Sequence, residues 1–179
     1  MSKIGRKPID IGSVQIEIKD HEVHYKGKKA SGIHIIPDLL QVQLDDKRIA
    51  LTPARKTNET NMVWGLHRAL LANKIKGADL GFERQIRIVG LGYKAVATGS
   101  KLQLSLGYSH KIDFELPQEV TVDIDKTGQL LTFKSFDKII LGLVCSKIRA
   151  LRVPEPYKGT GIMYVGEVIL RKAGKAKSA

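Results

Sequence analysis

Apolar and polar positions alternate with a period of two over most of this chain, which is the pattern of half-buried strands. Residues 14–18 and 22–25 alternate in this way around Lys19, Asp20 and His21 and predict a hairpin. Further strands are predicted at 32–36, 41–44 and 48–52. The period then changes. Met62, Val63, Leu66, Ala69, Leu70 and Ile75 recur at helical spacing, with Thr57 or Asn58 as the N-cap and Gly77 as the C-terminal glycine. Asn61, His67, Arg68, Lys74 and Lys76 are left for the polar side.

After that helix the pattern starts over. Strand-like runs fall at 85–89, 93–98, 101–106, 111–116, 120–125 and 130–134. A second helix is predicted from Asp137, a good N-cap, to about Leu151. Its apolar stripe is Ile139, Ile140, Leu143, Val144, Ile148 and Leu151, and Pro154 and Pro156 stop it. Pro37, Val42, Leu44 and Asp45 match Pro117, Val122, Ile124 and Asp125 at one offset, and Gly65-Leu66 matches Gly142-Leu143 at a similar one. The expected fold is therefore α+β: two tandem similar domains, each a mostly antiparallel sheet with one helix on a face, made by duplication. The expected boundaries are 1–81 with a basic N-terminal arm, 82–171, and a basic, disordered tail over 172–179.

Charge changes the picture from architecture to partner. Lys and Arg number 30 against 18 Asp and Glu, for a net charge of +12. Residues 82–146 are nearly balanced, with 8 basic and 7 acidic side chains, whereas residues 147–179 carry 8 basic and 2 acidic. Lys3, Arg6 and Lys7 form a second cluster at the start. Evenly spread charge suggests solubility; charge gathered on one segment suggests a surface for a polyanion. Cys145 is the single cysteine, so no intrachain disulfide or cysteine metal cluster can form, and its apolar neighbours predict burial. No stretch approaches the roughly 18 apolar residues that span a bilayer, and no apolar run follows the N-terminal charges as in a secretory signal. The expected compartment is the cytoplasm.

Three constellations invite chemistry and fail on spacing. His21 and His24 are three apart in an alternating stretch that points them to opposite faces, not four apart on a helix as a zinc protease needs. Residues 90–95, Gly-Leu-Gly-Tyr-Lys-Ala, fit a dinucleotide fingerprint formally, but a strand follows where a helix must begin. The two glycines there read either as a plain hairpin turn or as a turn that lets a nucleic-acid backbone approach Tyr93 and Lys94. Ser109 and His110 lack a third orienting residue or an oxyanion donor. Neither catalysis, a cofactor, a metal nor a small-molecule substrate is expected.

Residues 154–164, Pro-Glu-Pro-Tyr-Lys-Gly-Thr-Gly-Ile-Met-Tyr, are the most informative stretch. The prolines pre-set an extended entry, Gly159 and Gly161 flank Thr160, Tyr157 and Tyr164 offer flat faces, and Lys158 offers charge. Arg149 and Arg152 lead in, and Lys172 and Lys175 follow. A basic loop punctuated by aromatics, its backbone amides accessible, suits folded RNA.

This stretch resembles the C-terminal signature of the sixth large-subunit ribosomal protein family. So do residues 2–9, residues 89–94 (Val-Gly-Leu-Gly-Tyr-Lys) and residues 104–110 (Leu-Ser-Leu-Gly-Tyr-Ser-His), and the resemblance runs the length of the chain. The departures are Thr160 and Met163, where the family usually carries Lys and Arg. The resemblance implies two similar α+β domains and a structural role in the large ribosomal subunit. It also implies contact with large-subunit ribosomal RNA, mainly through the second domain, near the stalk base and the translation-factor site, beside neighbouring large-subunit proteins. Carried over by motif, the contact residues are Tyr93, Lys94, Tyr108, Ser109, His110, Tyr157, Lys158, Gly159 and Gly161. Arg149 and Arg152 join them on charge and position, as do Lys3, Arg6 and Lys7. The alternatives are a free-standing RNA-binding protein or one that docks on an anionic surface. A membrane role would need an apolar partner for the Lys-rich end, which residues 172–179 lack.

Overall fold

The computed structural model describes residues 2–45, 47–55 and 57–174; Lys175 and the rest of the expected tail lie outside the described residues. Internal contacts divide the chain into two units, Met1–Gly81 and Phe82–Ala179.

The first unit contains β1 (Ile9–Asp10), β2 (Gln15–Lys19), β3 (Glu22–Lys26), β4 (Ser31–Ile35), β5 (Leu40–Asp45), β6 (Arg48–Pro53) and α1 (Asn58–Asp79). Its strands form two antiparallel sheets, ordered β2-β3-β4 and β1-β6-β5. The β2–β3 hairpin turns on Asp20, which takes a left-handed φ of 51° that Asp tolerates better than most residues. Val23, Ile36, Ile49 and Leu71 are fully enclosed between the sheets and the helix.

Thr57 caps α1, its side chain accepting a hydrogen bond from the Thr60 amide. The buried face of the helix runs through Thr60, Trp64, Leu71, Ile75 and Ala78. The stripe expected from the sequence is therefore misplaced at its start: Met62 is 70% exposed and Leu66 is exposed as well. Trp64 is the cause. It buries its ring and donates its Nε1–H to the Leu51 carbonyl at 2.6 Å, and residues two positions away lie roughly 200° around the helix. Gly77 does not end the helix but lies buried within it. The left-handed terminal residue is Gly81, φ 76°, whose amide donates to the Lys76 carbonyl.

The second unit contains β7 (Phe82–Val89), β8 (Lys94–Thr98), β9 (Lys101–Ser105), β10 (Ile112–Glu115), β11 (Val120–Ile124), β12 (Leu130–Ser135), α2 (Lys138–Leu151) and β13 (Gly161–Tyr164). Its sheets are ordered β10-β9-β8 and β11-β12-β7-β13, again antiparallel. Leu102, Leu104, Leu131, Phe133, Ile148 and Ile162 are fully buried. Asp137 caps α2 through the Ile139 amide at 2.7 Å. The helix buries Leu141, Val144, Cys145 and Ile148, so the expected stripe again needs correction: Ile139 and Leu143 face outward. Burial pushes the Cys145 thiol up to about 11, so it stays a neutral packing group.

The two units share one plan. Sheet β2-β3-β4 corresponds to β8-β9-β10, and β5-β6-β1 corresponds to β11-β12-β7. The second unit adds β13, in a stretch the sequence reads as loop. It pairs along the outside of β7, Gly161 opposite Val89 and Tyr164 opposite Ile86, and drives Ile162 into the core.

Candidate nucleic-acid interface

Between α2 and β13 the chain closes a tight loop. The Glu155 amide donates to the Thr160 carbonyl at 3.0 Å, and the Gly159 amide donates back to the Glu155 carbonyl at 3.1 Å. One carboxylate oxygen of Glu155 accepts both the Lys158 amide, at 3.1 Å, and the Thr160 hydroxyl, at 3.0 Å. Gly159 and Gly161 are buried. Gly161 has φ 144°, and a Cβ there would stand 2.7 Å from the Pro154 Cα. A Cβ on Gly159 would stand 3.1 Å from the Arg171 guanidinium. The expectation of accessible amides is thus overturned at Lys158 and Gly159, whose N–H groups are used within the loop. Both glycines leave room that the closure of the loop uses. What the loop leaves outside is side chain: Tyr157 is 55% exposed, and Lys158 is exposed.

Arg149 and Arg152, three residues apart, have different fates. Arg149 forms a two-pronged pair with Glu167, Nη2 to Oε1 at 2.5 Å and Nε to Oε2 at 3.2 Å. That pair raises the arginine pKa, and it holds the Glu167 carboxyl below its ordinary range with help from the Tyr164 amide at 3.0 Å. Arg149, one of the expected contact residues, is thus tied to Glu167 within the unit. Arg152 has no carboxylate partner among the described residues; its guanidinium lies 5.0 Å from the Tyr108 ring centre, and Tyr108 is the largest cause of its raised pKa.

Tyr108 donates its hydroxyl to the Leu151 carbonyl at 3.0 Å and stacks on His110 with ring centres 6.2 Å apart. Ser109, His110 and Lys94 are exposed. In the 90–94 turn, Gly90 and Gly107 both make room for Tyr93: a Cβ on either would press within 2.8 Å of its ring. Gly92, at φ 74°, faces open space, and Leu91 between the two glycines is fully exposed. The fold thus gathers Tyr93, Tyr108, His110 and Arg152 from three separate stretches at the C-terminal end of α2. The Tyr157–Lys158 loop follows within a few residues.

Lys172 is not loose. Its amide donates to the Pro156 carbonyl at 2.9 Å, tying the outgoing chain to the loop while its side chain stays exposed. Lys175 lies outside the described residues. Lys3, Arg6 and Lys7 are exposed, but they belong to the first unit, in an arm docked on α1. There Gly5 sits so close to Trp64 that a Cβ would meet the ring at 2.5 Å, and Arg68 donates to the Lys7 and Pro8 carbonyls at 2.9 and 2.8 Å.

Sequence reasoning missed Glu155 and Glu167 as the residues that set this geometry. A signal existed, since they are the only acids after residue 146. The departures from the family pattern have local partners: Thr160 is bonded to Glu155, and Met163, on the strand face opposite Ile162, stands beside Arg87. His24 bonds to Glu22 at 3.1 Å and His21 lies 3.6 Å from Asp38. Among the described residues no group of three or more His, Cys, Asp or Glu could hold a metal, and no helix is long and apolar enough to cross a membrane.

Aromatic rings set beside cations without acidic partners are the kind of surface that proteins present to nucleic acid. The family described as Ribosomal protein L6 matches residues 89–165, which contain most of this surface. Similar proteins align over the whole chain. The large ribosomal subunit protein uL6 of Beijerinckia indica is 40% identical across 99% of this chain and 100% of its own length. Those of Methylacidiphilum infernorum and Natranaerobius thermophilus are 39% and 40% identical, each across 98% of both chains. The chain belongs to the L6 family of ribosomal proteins.

Proposed function

We propose that this protein is a non-enzymatic, structural component of the large subunit of the cytoplasmic ribosome. It binds large-subunit ribosomal RNA through the C-terminal end of its second unit, near the stalk base and the translation-factor site, beside neighbouring large-subunit proteins. The observation that carries this reading is the convergence of Arg152 on Tyr108, next to Tyr93 and His110 and just before the exposed Tyr157 and Lys158. Arg152, Lys94, Lys158, Arg171 and Lys172 have no carboxylate partner among the described residues, so their charge is available to phosphate. The rings supply stacking faces for bases or ribose. Lys3, Arg6 and Lys7 provide a separate basic group on the first unit.

Filter binding to large-subunit ribosomal RNA across a salt series tests the reading. Each neutralised phosphate adds roughly 0.7–0.9 to the log–log salt slope. Replacing Arg152 and Lys158 together with Ala is expected to weaken binding and flatten the slope by about 1.5. Equal affinity and slope for the double variant and the parent would show that RNA docks elsewhere.

A further inference from the structure

The most basic segment of the chain contains two acids, and both are bonded to groups of the chain itself. Glu167 grips Arg149 and the Tyr164 amide, and Glu155 grips its own loop. A carboxylate beside an RNA-binding surface repels phosphate, so its presence calls for an offsetting role. The geometry points to one: we infer that Glu155 is a positioning residue, which holds residues 155–160 in the RNA-competent shape and so presents Tyr157 and Lys158. This inference rests on the RNA-binding reading above and extends it to a residue that touches no RNA.

A single oxygen, Oε1, accepts from the Lys158 amide and from the Thr160 hydroxyl, and so ties together the residue that carries the charge and the one two positions on. The neighbouring constraints are backbone contacts: the Glu155–Thr160 and Gly159–Glu155 hydrogen bonds, and Gly161 against Pro154. Without the carboxylate, two donors of the loop lose their acceptor, and Lys158 must be ordered anew each time RNA binds. Rigidity of this kind raises affinity by removing the ordering cost of association. It is specific to the acceptor atom and does not need the negative charge, because the amide oxygen of glutamine can accept both bonds.

Charge and positioning therefore predict opposite signs. If Glu155 acted only as a charge, both Glu155→Ala and Glu155→Gln would tighten binding to full-length large-subunit ribosomal RNA transcribed in vitro. Positioning predicts that Glu155→Ala weakens it by about tenfold. Glu155→Gln is expected to bind as tightly as the parent or slightly better, with the parent's salt slope. Amide hydrogen exchange at Lys158 supplies the second readout: protection in the parent and in Glu155→Gln, loss in Glu155→Ala. Tighter binding by Glu155→Ala, or Lys158 protection that survives it, would overturn the inference while the RNA-binding reading stood, provided Lys158→Ala still weakened binding in the same series. Failure of the parent chain to bind the transcript would instead remove the reading beneath it.

Discussion

The two units carry nearly the same charge and use it differently. Residues 1–81 contain 14 Lys and Arg against 9 Asp and Glu, and residues 82–179 contain 16 against 9. In the first unit, cations are turned onto its own carbonyls: Arg68 onto Lys7 and Pro8, Lys74 onto Ile33, and Lys29 onto Leu80. In the second, carboxylates do the holding: Glu155 takes an amide and a hydroxyl, and Glu167 takes an amide and one arginine. Arg152, Lys158, Arg171 and Lys172 consequently remain without acidic partners among the described residues. Net charge does not distinguish these units as partners for a polyanion. They differ in which side chains hold the backbone at these places: Arg and Lys on carbonyls in the first, Glu on amides in the second.

The largest test of that contrast removes the feature only the second unit has. Gly161→Val places a branched side chain at φ 144° against the Pro154 backbone, and is expected to destabilise the β13 attachment by about 4 kcal/mol. Amide exchange at Arg87 and Met163, paired across β7 and β13, should accelerate while the first unit is unchanged. Unaltered exchange at those amides would mean that β13 is held by something other than this close approach.

The next test falls on the first unit alone. His34 is 5% exposed, lies 3.3 Å from His67, and has its pKa lowered from 6.5 to about 4 by burial first and by Lys74 next. The folded form keeps it neutral, whereas the unfolded chain protonates it below about pH 6.5. Stability is therefore whole above pH 6.5, and it declines as pH falls toward 4, by on the order of 3 kcal/mol. No histidine is buried in the second unit among the described residues, so urea titrations at pH 7 and pH 4.5 should shift the first unit more. A His34→Gln chain whose first unit kept the same pH slope would move the effect to another group.

Smaller effects follow. Arg68→Ala removes two hydrogen bonds from the N-terminal arm and is expected to cost about 1–2 kcal/mol in the first unit, read from its urea midpoint. Met163→Arg supplies the family's usual cation beside Arg87; affinity for ribosomal RNA should rise about twofold and stability fall by a few tenths of a kcal/mol. A drop in affinity would show that this sheet face does not approach phosphate.

Much of the fold was legible in the chain because period-two alternation is a local signal: the hairpin at Asp20, the strands that follow, and the caps at Thr57 and Asp137 all appear near their predicted places. The helix faces were less legible. Trp64 and Cys145 shift each buried stripe, and only the shape of the facing sheet decides between adjacent stripes. β13 was hidden because Gly161 and its neighbours read as loop; its strand character comes from β7, more than 70 residues earlier. At the site, residue types were legible and their pairing was not. Nothing local separates Arg149 from Arg152, since the partner that takes Arg149 is 18 residues away. Of the two glycines in the 90–95 turn, Gly90 is filled by the ring of Tyr93 whereas Gly92 faces open space, and no sequence signal separates them.

The enclosed indole of Trp64 has a practical consequence. It is the chain's single tryptophan, buried against Gly5 and bonded to the Leu51 carbonyl, and it belongs to the first unit. Its ultraviolet emission is thus a built-in optical gauge of that half of the molecule, while the tyrosine signal is weighted toward the other, which holds Tyr93, Tyr108, Tyr157 and Tyr164.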